Sequence, residues 1–505
     1  MSASDHWHNG FSFEQLGHRL RSMPMLVVLL PFVAGIVLAD YFVVPLVVAI
    51  PATLLFALMA ALVMPRRVAW GYIVVALAMF GYTMADLRMP RSSVPYDTYV
   101  DMVVAVENIP VQRDGYRRAD GRIERWRDDG VWHDADSHVV LWLRADSINE
   151  GDRVVVAGEL RERISRYSDY NDLMHRRSFV GGVAIGNDNV VEVHHAEPTD
   201  MQIRAIRRLE EAAGADDDAH ATMVAMTTGS RHNMPESLRW AYSRTGLAHL
   251  LAVSGLHLGI VLMVVGSLLA PLRFIHRGHR VAALLAIVAI WLYVSMCGAS
   301  PSVVRAAIML TVLQLAMTLS ARYNSINALA ATVVIMLMYR PNYLYDISFQ
   351  LSVAAVFGIV AWGVPIVRRV RSWRWLWRQI IGAIVVGVVA TLWTLPVVSY
   401  TFDNLPIVGA VVTPFVLLFA YVTVICGIIA VVLPTSLATP LVAVAEWAAH
   451  MQNIVVEWAA ELPFAAIEYT MSGWGVVVCY AIYLVITLVG WMKYQKKVIT
   501  LHIQP

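Results

Sequence analysis

Residues 247–272 read "LAHLLAVSGLHLGIVLMVVGSLLAPL", an apolar run carrying His249, Ser254, Gly255, His257 and Gly259. At about 1.5 Å per residue, one continuous helix of that length would span roughly 40 Å, against a hydrocarbon core of about 30 Å. Ser254-Gly255 is the natural place to interrupt it. A break inside a membrane is tolerated only where protein or a water-filled cavity satisfies the freed backbone groups. Ser254 is suited to cap the second half-helix. A half-helix N-terminus carries partial positive charge and favours anions at mid-membrane depth. His249 and His257 would flank the break. The alternative is a continuous helix in which Gly255 and Gly259 form a GxxxG packing face and the histidines bond to neighbouring helices. On these residues alone the two readings weigh equally.

The surrounding composition is that of a polytopic membrane protein. The chain has 505 residues, is 58% hydrophobic and 15% charged, and has a mean hydropathy of +0.59. A net charge of +2 announces no polyanion partner, so any basic surface must be local. Cys297, Cys426 and Cys479 lie in apolar stretches and provide neither a disulfide framework nor a CxxC metal pair. Arg19 and Arg21 precede the first apolar run, which lacks a small-x-small cleavage site and reads as a retained span.

Candidate spans, each near the roughly 20 residues a crossing needs, are 24–41, 43–64, 69–87, 247–272, 280–298, 302–320, 325–339, 346–364, 379–400, 406–432, 438–460 and 473–491. Arg66 and Arg67, Arg273, Arg277 and Arg280, Arg322, the Arg368–Arg378 cluster, and Lys493, Lys496 and Lys497 all fall on even-numbered loops or the tail. The charge rule then makes both termini cytoplasmic and puts 88–246 outside. In 438–460, Glu446, His450, Asn453 and Glu457 form one helical stripe. That segment is either a span with the stripe turned to protein or water, or a helix lying on the membrane surface.

From about Tyr99 the pattern alternates. "YVDMVVAVEN", "SHVVLWLRAD", "GDRVVVAGEL" and "FVGGVAIGNDNVVEVHH" predict strands, enough for a small closed barrel such as an OB-fold. Between the first two lies "RDGYRRADGRIERWRDDG". Arg117, Arg118, Arg122, Arg125 and Trp126 there make a candidate single-strand contact, with charge for phosphates and rings for bases. Asp120, Glu124, Asp128 and Asp129 nearly cancel that charge, and a solvated hairpin insertion is the more probable reading on the residues. "MQIRAIRRLEEAAGADDD" predicts an amphipathic helix ending near Gly214, then an acidic linker.

"GLAHLLAVSGLHLGIV" resembles the signature of the ComEC competence-channel family. The likeness continues through "TTGSRHNMPESLRWAYSRTGLAH", "GASPSVVRAAIM", "NALAATVVIMLMYRPNYLYDISFQLSVAAVFGI" and "TLPVVSYTFDNLPIVGAVVTP", with "SDYNDLMHRRSFVGGVAI" similar to the end of the family's outside domain. The resemblance implies a channel that carries incoming single-stranded DNA across the cytoplasmic (inner) membrane during natural transformation. It implies membrane lipids, a DNA receptor, a cytoplasmic helicase or single-strand-binding protein and further copies of the chain as partners. It implies no cofactor, metal or catalytic residue. Many members continue into a metallo-β-lactamase-like domain. Here the chain stops at Pro505 without an HxHxDH cluster, so a separate nuclease is expected.

The expected fold is a polytopic α-helical membrane protein of about 11–12 spans with an inserted extracytoplasmic OB-like β-barrel. Residues 1–96 form the three-span lead, 97–200 the β-domain, 201–246 the amphipathic helix and linker, 247–491 the channel domain and 492–505 the tail. The channel path is assigned to His249, Ser254, Gly255, His257, Arg305, Asp346, Gln350 and Asn404. Arg305 either pairs with Asp346, contacts phosphate alone, or snorkels to the outer surface. A transporter of another anionic substrate, lipid-linked or small and acidic, is the alternative. A hydrolase using His249, Ser254 and His257 is weaker, because the stretch lacks a GxSxG elbow and an acid to orient His257. Reporter fusions at Asp128 and Arg371 are expected to report opposite compartments, and finding both in one compartment would refute the span count.

Overall fold

The computed structural model describes residues 23–503 apart from short stretches, the longest being 166–170 and 195–200. Arg19, Arg21, Arg322 and Arg371 lie outside the described residues.

Three apolar helices open the chain: α1 (Pro24–Ala39), α2 (Leu46–Leu62) and α3 (Arg66–Leu87). Helices in lipid gain from close packing through small residues, and α1 and α3 use it. A Cβ on Gly35 would fall 1.8 Å from the Ala78 carbonyl oxygen, so no side chain fits there. The trio docks on α11 (Ser325–Tyr339). Met25 donates its amide to Asn327 Oδ1 at 2.9 Å near the start of both helices, and Tyr345, just past α11, donates to Asp40 just past α1. The two helices therefore run parallel, as parity requires of spans one and seven.

The outside segment is a seven-stranded sheet of β1 (Tyr99–Val106), β2 (Val111–Arg113), β3 (Tyr116–Asp128), β4 (Val131–Leu143), β5 (Arg153–Glu159), β6 (Gly181–Ile185) and β7 (Val190–His194). The order is β6-β4-β3-β1-β5-β7, with β2 on β3. All pairings are antiparallel except β4 with β6. Past β5, Arg161 makes an antiparallel bridge to Gly182 of β6, with N–H···O distances of 3.0 and 2.8 Å. This joins the two ends of the β6-β4-β3-β1-β5 path. The adjacent glycines permit it: a Cβ on Gly181 would fall 2.3 Å from the Arg161 carbonyl oxygen, and one on Gly182 would enter the Trp142 ring. Met102, Val104, Ile123, Val139, Leu141, Val154, Val156 and Val183 fill the enclosed core.

The "RDGYRRADGRIERWRDDG" stretch is thus mostly strand β3 and not a solvated insertion. Its buried positions are Ala119, Gly121 and Ile123. Two of the three are small, which hides the apolar alternation.

Then come α4 (Met201–Ala212), α5 (Asp218–Thr228) and α6 (Glu236–Arg244), followed by α7 (Ala248–Leu251), α8 (Gly255–Leu268), α9 (Gly278–Met296) and α10 (Pro301–Thr318). After α11 follow α12 (Ile347–Arg369, with a π-helical turn at Ile359–Gly363), α13 (Trp375–Phe402), β8 (Asn404–Pro406), α14 (Gly409–Val432), α15 (Thr435–Glu461), β9 (Ala466–Glu468) and α16 (Gly473–Ile503). Seven of the described helices are long and apolar enough to cross a membrane, and four more (α1, α2, α8 and α11) are apolar but shorter. This is a polytopic membrane protein.

The acidic stretch after Gly214 is not simply a linker. Asp217 accepts from the His220 amide and caps α5, whose residues from Ala219 to Thr228 are all buried. Gly427 of α14 lets α5 in, since a Cβ there would fall 2.3 Å from Thr227 Oγ1. Half of the α15 stripe holds this arrangement. Glu446 bonds His220 Nδ1 at 2.9 Å, and Asn453 Oδ1 accepts from Thr222 at 3.1 Å and Tyr242 at 2.9 Å. Gln452 donates to the Tyr242 oxygen at 2.6 Å. His450 and Glu457 are exposed. Asn453→Leu would strand two buried hydroxyls, each costing about 1–3 kcal/mol. The detergent-solubilised variant should melt several degrees lower, while Ile454→Leu, at an exposed position, should not. Equal melting of the Asn453 variant and wild type would remove the network from the stability of this core.

Candidate functional site

The break in the 247–272 segment is present. The one-turn α7 ends at Leu251, and Ser254 is extended, with φ −126° and ψ 175°, before α8 begins at Gly255. Two bonds seal the new end. Ser254 Oγ accepts from the Leu256 amide at 3.3 Å, and the Ser254 amide donates to His257 Nδ1 at 3.1 Å. Histidine here takes the place glutamate usually holds in a capping box. Its Nδ1 must offer a lone pair, so the ring proton sits on Nε2. His249 has the opposite tautomer, since its Nδ1 lies 2.9 Å from the Gly246 carbonyl oxygen and must donate. His257 is 1% exposed, whereas His249 is exposed.

The continuous-helix alternative is therefore overturned. Both histidines bond within their own segment, and Gly259 has nothing within 4 Å of a built Cβ. The expectation that Gly255 is required by turn or close approach also falls. Its Cβ would meet only Ala306 Cβ, at an ordinary 3.5 Å. The extended Ser254 makes the turn, so glycine has no unique role one residue later. The glycine that geometry demands is Gly246, missed in the sequence. It has φ +76°, and a Cβ would fall 2.7 Å from Pro406 Cβ. This contact docks the approach to the break onto β8, the strand that Asn404 opens. Asn404 pairs through its backbone register with Glu468 of β9.

Arg305 lies on α10 beside Ala306, the residue that Gly255 approaches. It is 4% exposed, and its Nε and Nη1 have no hydrogen-bond partner. Among the described residues no ion pair joins it to Asp346. Asp346 instead caps α12, accepting from the Phe349 amide at 2.9 Å, and Gln350 Nε2 donates to the Leu344 carbonyl at 2.8 Å. The expected Arg305–Asp346 pair is thus replaced by a helix cap. Snorkelling is absent as well, since the guanidinium is enclosed. Ser302 and Ser352, 2.8 Å apart, hold α10 against α12.

On the β-domain, the candidate arginines are largely engaged. Arg122 bonds Glu107 at 2.7 Å and approaches Asp136 at 3.3 Å. Burial pushes the Glu107 carboxyl up, but the bond from His138 and the charges of His138 and Arg122 outweigh it and leave Glu107 below its usual range. Arg127 pairs with Asp101, and Arg153 with Glu124 at 2.8 Å. The Arg125 guanidinium lies 5.7 Å from the Trp132 ring centre, and Trp126 packs against His133 and the core. Arg117 and Arg118 also have partners. The structure does not bring these five residues into one free binding face.

If the cap makes the break, Ser254→Ala should lower transport at normal membrane level, by about 1 kcal/mol of lost capping, and Gly255→Ala should be neutral. A neutral Ser254→Ala would remove the cap from the function.

A model of the competence protein family matches residues 226–494. ComE operon protein 3 of Bacillus subtilis (strain 168) is 29% identical over 221 residues, covering 44% of this chain and 27% of that protein. An uncharacterized protein of Aquifex aeolicus (strain VF5) is 33% identical over 147 residues, covering 29% of this chain and 34% of that protein. The matches thus span only 27% and 34% of these relatives' own length. No solved structure matches the chain. The family match contains the capped break, the enclosed Arg305, the Asp346 cap and β8, and on that match the chain belongs to the competence protein family.

Proposed function

We propose that this protein is the channel through which incoming single-stranded DNA crosses the cytoplasmic membrane during natural transformation. The observation that supports it best is the enclosed guanidinium of Arg305, with two nitrogens unpartnered. A buried cation without a counter-charge is costly in an apolar setting and is a functional group by default. Its ligand must be an anion, and a phosphodiester fits the fork of an arginine. The neighbouring break then gives the strand a polar place to pass at membrane depth. The role is transport and not catalysis.

In this reading both termini are cytoplasmic and the β-domain faces outward as an OB-like barrel. The strand connectivity supports that assignment. Five strands run in the order β1-β3-β4-β6-β5 and back to β1, with the one parallel pair between β4 and β6. This is the cyclic order of a partly open five-stranded Greek-key barrel. A DNA receptor outside, a helicase or single-strand-binding protein inside, a separate nuclease and further copies of the chain complete the proposed machinery.

Deletion of the gene is expected to abolish transformation while labelled DNA still reaches the periplasm. Arg305→Ala at normal protein level should lower transformation about 10- to 100-fold, the loss of one charged hydrogen-bonded contact of about 1.5–3 kcal/mol, and Arg305→Lys should retain most of it. Normal transformation by Arg305→Ala overturns the role of Arg305. Normal transformation by the deletion strain, with altered export or import of another anion, makes the protein a transporter of that anion instead.

A further inference from the structure

The β-domain arginines that lack partners are not those in the arm. A cleft of about 590 Å³ opens where β4 and β5 end, lined by Tyr116, Trp142, Arg144, Arg161 and Arg163 with Ala184 among its walls. These residues are scattered in sequence and only the topology gathers them. The parallel β4–β6 register sets Ala184 opposite Trp142, and the Arg161–Gly182 bridge carries the chain after β5 across to the same edge. Trp142 lies against Gly182 and is half-buried. The loop beyond is pinned: Asn171 Oδ1 accepts from the amides of Ile164 and Ser165 at 3.0 and 2.7 Å, and its Nδ2 donates to the Ser165 carbonyl at 2.8 Å. Arg144, Arg161 and Arg163 are exposed. Arg161 approaches Glu159 at 3.8 Å, and neither Arg144 nor Arg163 has an ion-pair partner among the described residues.

We propose that this cleft is a subsite for one nucleotide of the incoming strand, with its phosphate on Arg144 and Arg163 and its base against Trp142 and Tyr116. The volume lies in the range of small-ligand sites, roughly 300–1,000 Å³. Guanidiniums match phosphate oxygens in pairs, and base–aromatic stacking is tolerant of sequence. Stacking needs an unpaired base, so the ligand is a single strand and not a duplex. The inference rests on the DNA-channel reading and gives the outside domain a means of holding the strand.

The test uses the full-length protein in neutral phosphatidylcholine nanodiscs and a fluorescent oligothymidylate followed by anisotropy. The double variant Arg144→Ser/Arg163→Ser should bind at least about 10-fold more weakly, and its dependence of log affinity on log salt should be shallower by roughly 1.4, at about 0.7 per phosphate contact on a single strand. A wild-type melting temperature for the double variant establishes that it folds. Arg122→Ser, at an engaged arginine, should change affinity less than about two-fold, because an exposed pair contributes little. Tyr116→Leu should weaken binding without changing the salt slope. Wild-type affinity and slope in the double variant overturn the subsite and leave the channel reading standing, since Arg305 is tested separately by transformation. Equal competition by a duplex, by inorganic phosphate alone or by phosphatidylglycerol vesicles also overturns it. Failure of the wild type to bind the oligonucleotide at low salt overturns the subsite as well, whereas loss of the channel reading shows as normal transformation in the deletion strain.

Discussion

Hydrocarbon offers no partner to a backbone amide, and the path this chain provides depends on how that constraint is met at Ser254. An interrupted helix exposes donors at its new end. The chain satisfies them with its own Ser254 hydroxyl and His257 ring, 3.1 Å apart. Because the cap is local, the break needs no neighbouring helix to hold it open. That leaves α10, with Arg305 on it, free to lie against the start of α8 without being required for its fold. A glutamate in the place of His257 would put a charge where the ring is buried. Neutral histidine caps the same amide without one, which suits a residue 1% exposed.

The segment leading to the break is fixed by a different means. Tyr242 on α6, Thr222 on α5 and Asn453 on α15 share one buried oxygen, and Gly246 meets Pro406 of β8. Thus the residues just upstream of His249 are anchored to the C-terminal third of the chain. A buried polar network of this kind specifies one arrangement more than it adds stability. The helices α4–α6 consequently belong to the packing of the helical domain, although they follow the β-domain directly in sequence.

The sequence carried the spans, the strand positions and the break, because each leaves a periodic or compositional trace. It hid two things for identifiable reasons. Strand β3 buries Ala119 and Gly121, and small residues weaken the alternation that marks a strand. The roles of individual arginines were also hidden. Charge counting sees Arg122 and Arg163 alike, yet one meets Glu107 and Asp136 and the other meets no carboxylate among the described residues. Only strand register decides which acids face which bases: β1 and β4 flank β3 and bring Glu107, Asp101 and Asp136 to its arginines. The proposed Arg305–Asp346 pair failed similarly. Equal depth in two helices does not place two side chains together, and an aspartate just before a helix is better placed to cap it than to reach across.

The two sets of unpartnered arginines differ in what surrounds them, and this bears on how a strand would move. Arg144 and Arg163 are exposed, so water and salt screen them, and any phosphate they hold is released easily. Arg305 is enclosed, where screening is weak and one phosphate would be held more firmly. A path with only firm sites would trap a polyanion, and one with only screened sites would not draw it out of water. Conduction needs binding favourable enough to enter and weak enough to leave. An outer screened site followed by a single enclosed guanidinium meets both demands. The absence of a carboxylate partner for Arg305 is then part of the mechanism, since a permanent counter-ion would leave nothing to attract each successive phosphate.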